Sequence, residues 1–259
     1  MGIPPSLSLF TVSVSVSAAT MVIAAGIYSF YIMKSRRKSI DHHQRSSEQQ
    51  TKAYLQLIGN TPLCELHVLS GILGRKIYVK MESMNPGGTG KDRAAKYMLQ
   101  SACQHNNIGH ETKEMFEGTS GSTGIALAYL CNAMGLKLNV VMPDDQAEEK
   151  RILLERFGVT VTIVPPCGIS NAHHYVNTAR RMAKEANGIF LDQFENLANF
   201  RAHYEVTGPE LWEQTKGTLD AFVMSAGTGG TIAGVSRYAY MGEFLPSVSY
   251  LIFLLMLLL

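Results

Sequence analysis

Short apolar runs alternate with longer helical patterns between residues 51 and 240. The runs are rich in β-branched residues and predict strands at Lys76–Met81, Glu114–Glu117, Leu138–Met142, Thr160–Val164, Ile189–Leu191 and Ala221–Met224. Segments with helical spacing predict helices at Lys91–His105, Thr123–Met134, Glu148–Phe157 and Ser170–Asn187. Strands joined by crossover helices are typical of an α/β protein with a mostly parallel sheet.

The first 33 residues contain no charged side chain, and residues 7–33 are rich in Val, Ala, Leu, Ile and Tyr. A transmembrane helix needs roughly 20 apolar residues, so residues 7–33 are predicted to form a membrane anchor. A basic cluster at residues 34–38 follows and predicts that the rest of the chain faces the cytosol, because positive flanks prefer that side. Residues 34–51 are polar and are predicted to be a solvated linker.

The other end of the chain is again apolar. Residues 246–259 form a tail of almost uniformly apolar character, short for a membrane span. A buried helix, a second membrane segment and a tail outside the fold are three interpretations of it. The globular domain is expected to lie between these ends, at residues 52–245.

Overall charge and cysteine content exclude several classes of function. The formal net charge is +2, so the chain as a whole has no field that would favour nucleic acid. The four cysteines are widely separated without a C-x-x-C pair, which argues against a metal knuckle or a disulfide scaffold. His42 and His43 have no further ligand at zinc-site spacing, so no metal is expected.

Three glycine-rich loops follow predicted strands, where α/β proteins bind ligands. The first runs NPGGTGKDR from Asn85 to Arg93. It is not a P-loop, which needs Gly in place of Asn85 and Ser or Thr in place of Asp92. Lys91 stands at the start of a predicted helix, where the positive end of the helix dipole disfavours an ammonium group. A lowered pKa would make Lys91 a nucleophilic amine, although a solvated lysine is the simpler interpretation of this residue alone.

The second loop is GTSGSTG at residues 118–124, and the third is GTGGT at residues 227–231. Each opens a predicted helix, and free N–H groups and hydroxyls at a helix N-terminus bind a carboxylate or a phosphate. A dinucleotide fingerprint would require Gly in place of Ile232, so a single phosphate suits the third loop better.

Taken together, the motifs resemble one family. The order NP-x4-KDR, TSG-x-TG, QF-x-N-x-AN at residues 193–199, TGPELW at residues 207–212 and GTGGT is similar to cysteine synthase and its cystathionine β-synthase relatives. The resemblance covers about residues 55–238 and implies the tryptophan synthase β-like fold of pyridoxal-phosphate (PLP) enzymes. That fold has two open, mostly parallel sheets flanked by helices, here with a smaller subdomain at about residues 94–200.

The resemblance also implies the roles of the site residues. Lys91 would bind PLP covalently and would remove the Cα proton of the substrate. Residues expected to bind the cofactor are Lys91, Ser122, Gly227, Thr228, Gly229, Gly230 and Thr231. Residues expected to bind the substrate carboxylate are Thr119, Ser120, Gly121, Thr123 and Gln193. The implied reaction is β-replacement, in which sulfide displaces acetate from O-acetyl-L-serine to give L-cysteine.

Three departures from the family pattern leave other functions open. Ser122 stands where the family has Asn, Leu197 stands where it has Pro, and the family continues well past GTGGT, which implies an incomplete C-terminal region. Alternatives are a membrane-tethered binding or scaffold homologue without catalysis, and a serine or threonine dehydratase-like PLP lyase. Family members are commonly dimers, which implies a homodimer. The mitochondrial outer membrane is the favoured location, with the endoplasmic reticulum as the alternative.

Overall fold

A computed structural model of the chain describes residues 49, 51–106, 114–241 and 250–254. Its strands are β1 (Leu63–Glu65), β2 (Tyr78–Lys80), β3 (Met115–Gly118), β4 (Leu138–Pro143), β5 (Thr160–Val164), β6 (Ile189–Phe190), β7 (Ala221–Ser225) and β8 (Tyr250–Leu254). Its helices are α1 (His67–Leu73), α2 (Asp92–Asn106), α3 (Ser122–Met134), α4 (Glu148–Arg156), α5 (Tyr175–Glu185), α6 (Leu197–Ala202), α7 (Gly208–Thr215) and α8 (Gly230–Met241).

A four-stranded parallel sheet in the order β5-β4-β3-β6 forms the centre of the described region. Every residue of β3 and β4 is buried. A parallel strand that is covered on both faces favours apolar residues, and β3 and β4 contain one buried polar side chain each, Glu117 and Asn139. Helices α3, α4 and α5 are the crossovers between consecutive strands. The predicted α/β class and parallel sheet are confirmed.

The main core lies between this sheet and the buried side chains of helices α2 and α3. Helix α3 is buried along most of its length, which explains the apolar sequence IALAYLC. On the other face, α5 packs so closely on β3 that a Cβ added at Gly118 would lie 2.7 Å from the Cα of Val176. Packing of this closeness fixes the end of β3 and the loop that follows it.

The remaining strands form two small sheets. Strands β1 and β2 pair antiparallel, and β7 pairs in parallel with β8. Strand β8 lies within the apolar tail that the sequence analysis left open. Strand β1 and helix α1 were not predicted, because both are short and α1 has no buried residue.

A continuous helical stretch from α6 to α7 was also missed by the sequence analysis. A π-helical turn, His203–Thr207, joins the two helices. The predicted helix Ser170–Asn187 is shorter than expected, because residues 170–174 form turns and His174 accepts a hydrogen bond from the Val176 N–H at the start of α5. Isolated π-helical turns often occur at functional sites, so the stretch around His203 is of interest below.

A buried ionic cluster ties α2 and α7 to strand β2. Arg93 is 2% exposed and donates to Glu82 and Glu210 over 2.7 Å, while Lys80 donates to Glu210 over the same distance. Burial alone would raise the pKa of Glu210, but hydrogen bonds from Arg93 and Lys80 lower it to about 2. The two cations balance the two carboxylates, as buried charges require.

No helix in the described part of the chain is long and apolar enough to cross a membrane. The predicted anchor at residues 7–33 lies outside the described residues, as do His42 and His43.

Candidate active site

The loop before α2 is held in place by the first residue of that helix. Asp92 accepts hydrogen bonds from the N–H of Gly87 over 2.6 Å and from the hydroxyl of Thr89 over 2.7 Å. The Lys91 carbonyl accepts the N–H of Ala95, which places Lys91 at the N-cap position of α2. The NPGGTG sequence therefore folds into a compact loop that ends in the lysine predicted to hold the cofactor.

Lys91 is half-buried, and burial lowers the pKa of its amine. The helix start has the same effect, since the positive dipole end disfavours the ammonium form. Burial lowers the pKa of His203, and the charge of Lys91 lowers it further. A lysine whose neutral form is favoured suits nucleophilic and proton-transfer chemistry.

The loop of residues 118–124, here named the carboxylate loop, is closed by Gln193. The Gln193 amide donates to the Gly118 carbonyl over 2.7 Å and accepts the hydroxyl of Thr123 over 2.6 Å. The Thr119 hydroxyl accepts the N–H of Gly121 over 3.1 Å. Thr119, Thr123 and Gln193, all predicted substrate residues, are buried and lie within this one hydrogen-bonded unit.

Lys150 of α4 supports the carboxylate loop from outside. Its amine donates to the Ser120 carbonyl over 3.3 Å, and its stem fills the space that a side chain at Gly121 would need. Gly121 also has φ +134, a conformation that residues other than glycine rarely adopt. Ser122, the predicted cofactor residue at the start of α3, is exposed.

The loop of residues 227–231, here named the phosphate loop, opens helix α8. A Cβ added at Gly227 or at Gly229 would have no atom within 4 Å, so there is free space over the loop. The first N–H groups of α8 have no acceptor within the helix. Free space beside such donors suits a phosphate group.

Residues 197–207, which comprise α6 and the π-helical turn, are here named the α6–π stretch. Two of its side chains hold the phosphate loop in position. Asn199 donates to the Thr228 hydroxyl over 2.9 Å, and the Nε2 of His203 lies 3.1 Å from the Thr231 hydroxyl. The other ring nitrogen of His203 lies 3.0 Å from the hydroxyl of Thr207. The phosphate loop is therefore positioned by residues that lie 28 and 29 positions earlier in the chain.

Each loop rests on a buried titratable group whose neutral form is favoured. Burial raises the pKa of Glu117, the residue before the carboxylate loop, to about 8, and neither carboxyl oxygen has a hydrogen-bond partner. Burial and the charges of Lys91 and Arg93 lower the pKa of His203 to about 3. A bound anion therefore meets no buried negative charge beneath the carboxylate loop at neutral pH.

These contacts bring most of the predicted residues into one arrangement. Gln193 and Asn199 connect the carboxylate loop and the phosphate loop, and the charge of Lys91 lowers the pKa of His203, whose ring contacts Thr231 of the phosphate loop. The open space at Gly227, the start of helix α8 and the half-buried Lys91 fit a cofactor with a phosphate and an aldehyde. PLP supplies an electron sink when it is bound.

The sequence analysis assigned no role to Asn199, His203, Glu117 or Lys150. Asn199 ends the QF-x-N-x-AN motif, and His203 follows one helical turn later, so a helix prediction there would have paired them. Lys150 gave no signal, because it stands among several charged residues of α4.

The chain is similar to several known proteins. A family model described as pyridoxal-phosphate dependent enzyme matches residues 54–249. Cysteine synthase 2 of Schizosaccharomyces pombe is 39% identical over 87% of this chain and 58% of its own length. Cysteine synthase B of Salmonella typhimurium is 42% identical over 71% of this chain and 59% of its own length. The crystal structure of O-ureido-L-serine synthase matches with a TM-score of 0.69 and 32% identity, covering 77% of this chain and 61% of that chain.

The chain thus spans less than two thirds of the length of these relatives. The predicted cofactor and the predicted family are confirmed by the family model and by the cysteine synthases among the relatives. The match over residues 54–249 places the chain in the family of pyridoxal-phosphate dependent enzymes.

Proposed function

We propose that this protein uses PLP to form L-cysteine from O-acetyl-L-serine and sulfide. The observation that supports this most directly is the hydrogen-bonded unit of Gln193, Thr123 and Gly118, connected through Asn199 to the phosphate loop. One anion site for a carboxylate and another for a phosphate, with Lys91 nearby, are what an amino-acid substrate and PLP require. The cysteine synthases among the relatives support the same substrate class.

In this proposal the carboxylate loop orients the substrate. The N–H groups and hydroxyls of residues 119–123 bind its α-carboxylate, and Gln193 keeps the loop in shape. Lys91 holds PLP before the substrate arrives and then takes the proton from Cα as its neutral amine. Acetate leaves Cβ, and sulfide then adds to the same carbon. The products are therefore L-cysteine and acetate. Phosphate is held by residues 227–231, and Ser122 is the proposed neighbour of the pyridine ring.

The test measures cofactor and product separately. Purified full-length protein should show a visible absorbance band with PLP and should form cysteine only when both O-acetylserine and sulfide are present. Lys91→Ala should abolish both, while Lys184→Ala, at an exposed position near the C-terminal end of helix α5, should change neither. Pyruvate formed without sulfide would instead indicate a dehydratase-like lyase. A visible band without any product would indicate a binding or scaffold homologue.

We also propose that residues 7–33 anchor the protein in a membrane with the domain of residues 52–245 in the cytosol, and that the protein forms a homodimer. The charge-free apolar stretch and the following basic cluster support the anchor. A relative from Saccharomyces cerevisiae, 41% identical over 86% of this chain and 57% of its own length, carries a name that proposes a mitochondrial cysteine synthase. The mitochondrial outer membrane is therefore the first membrane to examine.

A fluorescent fusion of the full chain should fractionate with membranes, and the same fusion without residues 1–33 should not. Accessibility of the domain to protease in intact organelles tests the cytosolic orientation. Equal fractionation of the two fusions would contradict the anchor.

A further inference from the structure

Asn199 makes two hydrogen bonds that join separate parts of the site. Its side-chain amide donates to the Gln193 carbonyl over 2.9 Å and to the Thr228 hydroxyl over 2.9 Å. The residue is 3% exposed, so water cannot replace either bond. Both hydrogens of the amide are therefore donated, one to Thr228 of the phosphate loop and one to Gln193, which closes the carboxylate loop.

The path continues on the side of Gln193. The backbone of Gln193 is held by Asn199, while its side chain binds Thr123 and the Gly118 carbonyl. Four residues thus form a continuous chain of contacts from Thr228 in the phosphate loop to Thr123 in the carboxylate loop. Each member between the two loops is buried, which strengthens its hydrogen bonds relative to bonds at the surface.

A third contact fixes Asn199 against the start of helix α8. A Cβ added at Gly230 would overlap the side-chain oxygen of Asn199, so the amide lies directly against the backbone of the phosphate loop. This oxygen is buried and has no hydrogen-bond partner. The amide group is therefore held by its two donor bonds and by packing, and a small shift of either loop must move it.

We infer that Asn199 is a positioning residue that couples the phosphate loop to the carboxylate loop, so that ordering of one loop by its anion prepares the other. The inference rests on the proposed function, since the two anions are the PLP phosphate and the substrate carboxylate. It goes further than the proposed function because it assigns the connection between the phosphate loop and the carboxylate loop to the side chain of Asn199. This side chain does not itself touch the reacting atoms.

The test uses one ligand for each loop. Affinity for PLP is measured by equilibrium dialysis of the protein freed of cofactor, and affinity for the amino acid is measured with L-alanine, which has the α-carboxylate but no leaving group. Asn199→Ala should raise both dissociation constants about tenfold, as expected for a lost pair of buried hydrogen bonds. Asn177→Ala is the matched control, because the Asn177 amide also bridges two acceptors, the carbonyls of Ile169 and Asn171, and neither acceptor belongs to the phosphate loop or the carboxylate loop.

Coupling is then separated from local damage by a double-mutant cycle. Thr228→Val removes the hydroxyl at the phosphate end and should raise the dissociation constant of L-alanine several-fold in the wild-type background. In the Asn199→Ala background the same change should alter that constant less than about twofold. Circular dichroism and thermal midpoints confirm that each variant is folded, and Asn199→Ser, too short to reach both partners, replaces Asn199→Ala if the latter does not fold.

Four outcomes overturn the inference. If Asn199→Ala weakens PLP alone, Asn199 serves the phosphate loop without coupling. If Thr228→Val acts on L-alanine equally in both backgrounds, the effect travels by another route. If wild-type protein binds no PLP, the proposed function fails along with the inference, whereas wild-type binding with an unaffected Asn199→Ala variant overturns the inference alone.

Discussion

The carboxylate loop and the phosphate loop both open helices, yet they are supported in opposite ways. The carboxylate loop follows β3, which is buried throughout and packed against α5 at Gly118. The phosphate loop follows β7, where Val223 is 56% exposed, and its contacts come from Asn199 and His203 in the α6–π stretch. The carboxylate loop takes its position from its own buried strand together with Gln193 and Lys150, and the phosphate loop takes it from a helical segment that precedes it by 28 to 29 residues.

This difference has a consequence for how each loop tolerates change. A loop fixed by sheet packing should be sensitive to any added atom beneath it, because interiors are closely packed. A loop fixed by a few hydrogen bonds should be sensitive to the loss of those bonds instead. Substitutions at the carboxylate loop should therefore mainly lower the free energy of unfolding. Substitutions at the phosphate loop should mainly weaken ligand binding.

The largest effect is expected where the shared support of both loops is removed. Helix α2 packs against α3, which begins in the carboxylate loop, and against α6, which holds the phosphate loop. Arg93→Met leaves the carboxylates of Glu82 and Glu210 buried with only Lys80 to offset them. The free energy of unfolding in urea should fall by about 3–5 kcal/mol, the range for breaking a buried ion pair.

Arg151→Met provides the control for this prediction. Arg151 pairs with Glu148 and Glu155 on the exposed face of α4, so its loss should lower the free energy of unfolding much less than Arg93→Met does. Equal destabilisation by the two variants would show that the buried cluster contributes no more than a surface pair.

A pair of glycine variants tests the difference between the loops directly. Gly118→Ala places a methyl group 2.7 Å from the Cα of Val176, whereas the same change at Gly227 meets no atom within 4 Å. Gly118→Ala should lower the free energy of unfolding by about 1–3 kcal/mol through overpacking. Gly227→Ala should leave stability unchanged and weaken PLP binding, because the methyl group enters the space proposed for the phosphate. Urea titration measures the stability of both variants, and equilibrium dialysis measures their affinity for PLP. If Gly227→Ala destabilises the protein and Gly118→Ala only weakens PLP binding, the proposed difference between the two loops is wrong.

The unequal support also explains which parts the sequence could predict. Strands β4 and β5 are rich in apolar and β-branched residues, and a glycine-rich loop follows β3, so the sheet and that loop could be predicted from the sequence. The stretch from α6 to α7 gave no such signal, because Asn199 and His203 are polar residues buried by tertiary contacts. The glycines of the phosphate loop were recognised, but the side chains that hold them lie in another part of the chain.

The two buried neutral groups give a prediction for pH. As pH falls below about 6.5, the unfolded chain protonates its histidine while His203, with a pKa of about 3, stays neutral, so the free energy of unfolding decreases. As pH rises above about 4.5, the unfolded chain ionises its glutamate while Glu117, with a pKa of about 8, stays protonated, so the free energy of unfolding also decreases. Between these values the two slopes oppose each other, each at most about 1.4 kcal/mol per pH unit.

Replacing either His203 or Glu117 should leave only the pH dependence that the other residue gives to the free energy of unfolding. From pH 4.5 to 6.5, His203→Gln should make the free energy of unfolding decrease more strongly with pH than in wild type, and Glu117→Gln should make it increase more strongly. Urea unfolding at several pH values measures both slopes. His67→Gln, at a side chain that is 84% exposed, is the control variant measured beside the wild-type profile. If both buried variants also keep that profile, the two groups are not neutral in the folded protein.

The smallest effect is expected at Lys150, which holds the carboxylate loop by a single hydrogen bond. Its amine binds the Ser120 carbonyl while Thr119 binds the Gly121 N–H, so both ends of one peptide group are held. Lys150→Met keeps the stem over Gly121 but removes the donor, and should raise KM for O-acetylserine about two- to threefold, as for one partly exposed hydrogen bond. The value of kcat should not change, because the lysine touches the loop and not the reacting atoms. A change in kcat, or an equal rise in KM for the neighbouring Arg151→Met, would show that Lys150 acts through the charge of α4 and not through the loop.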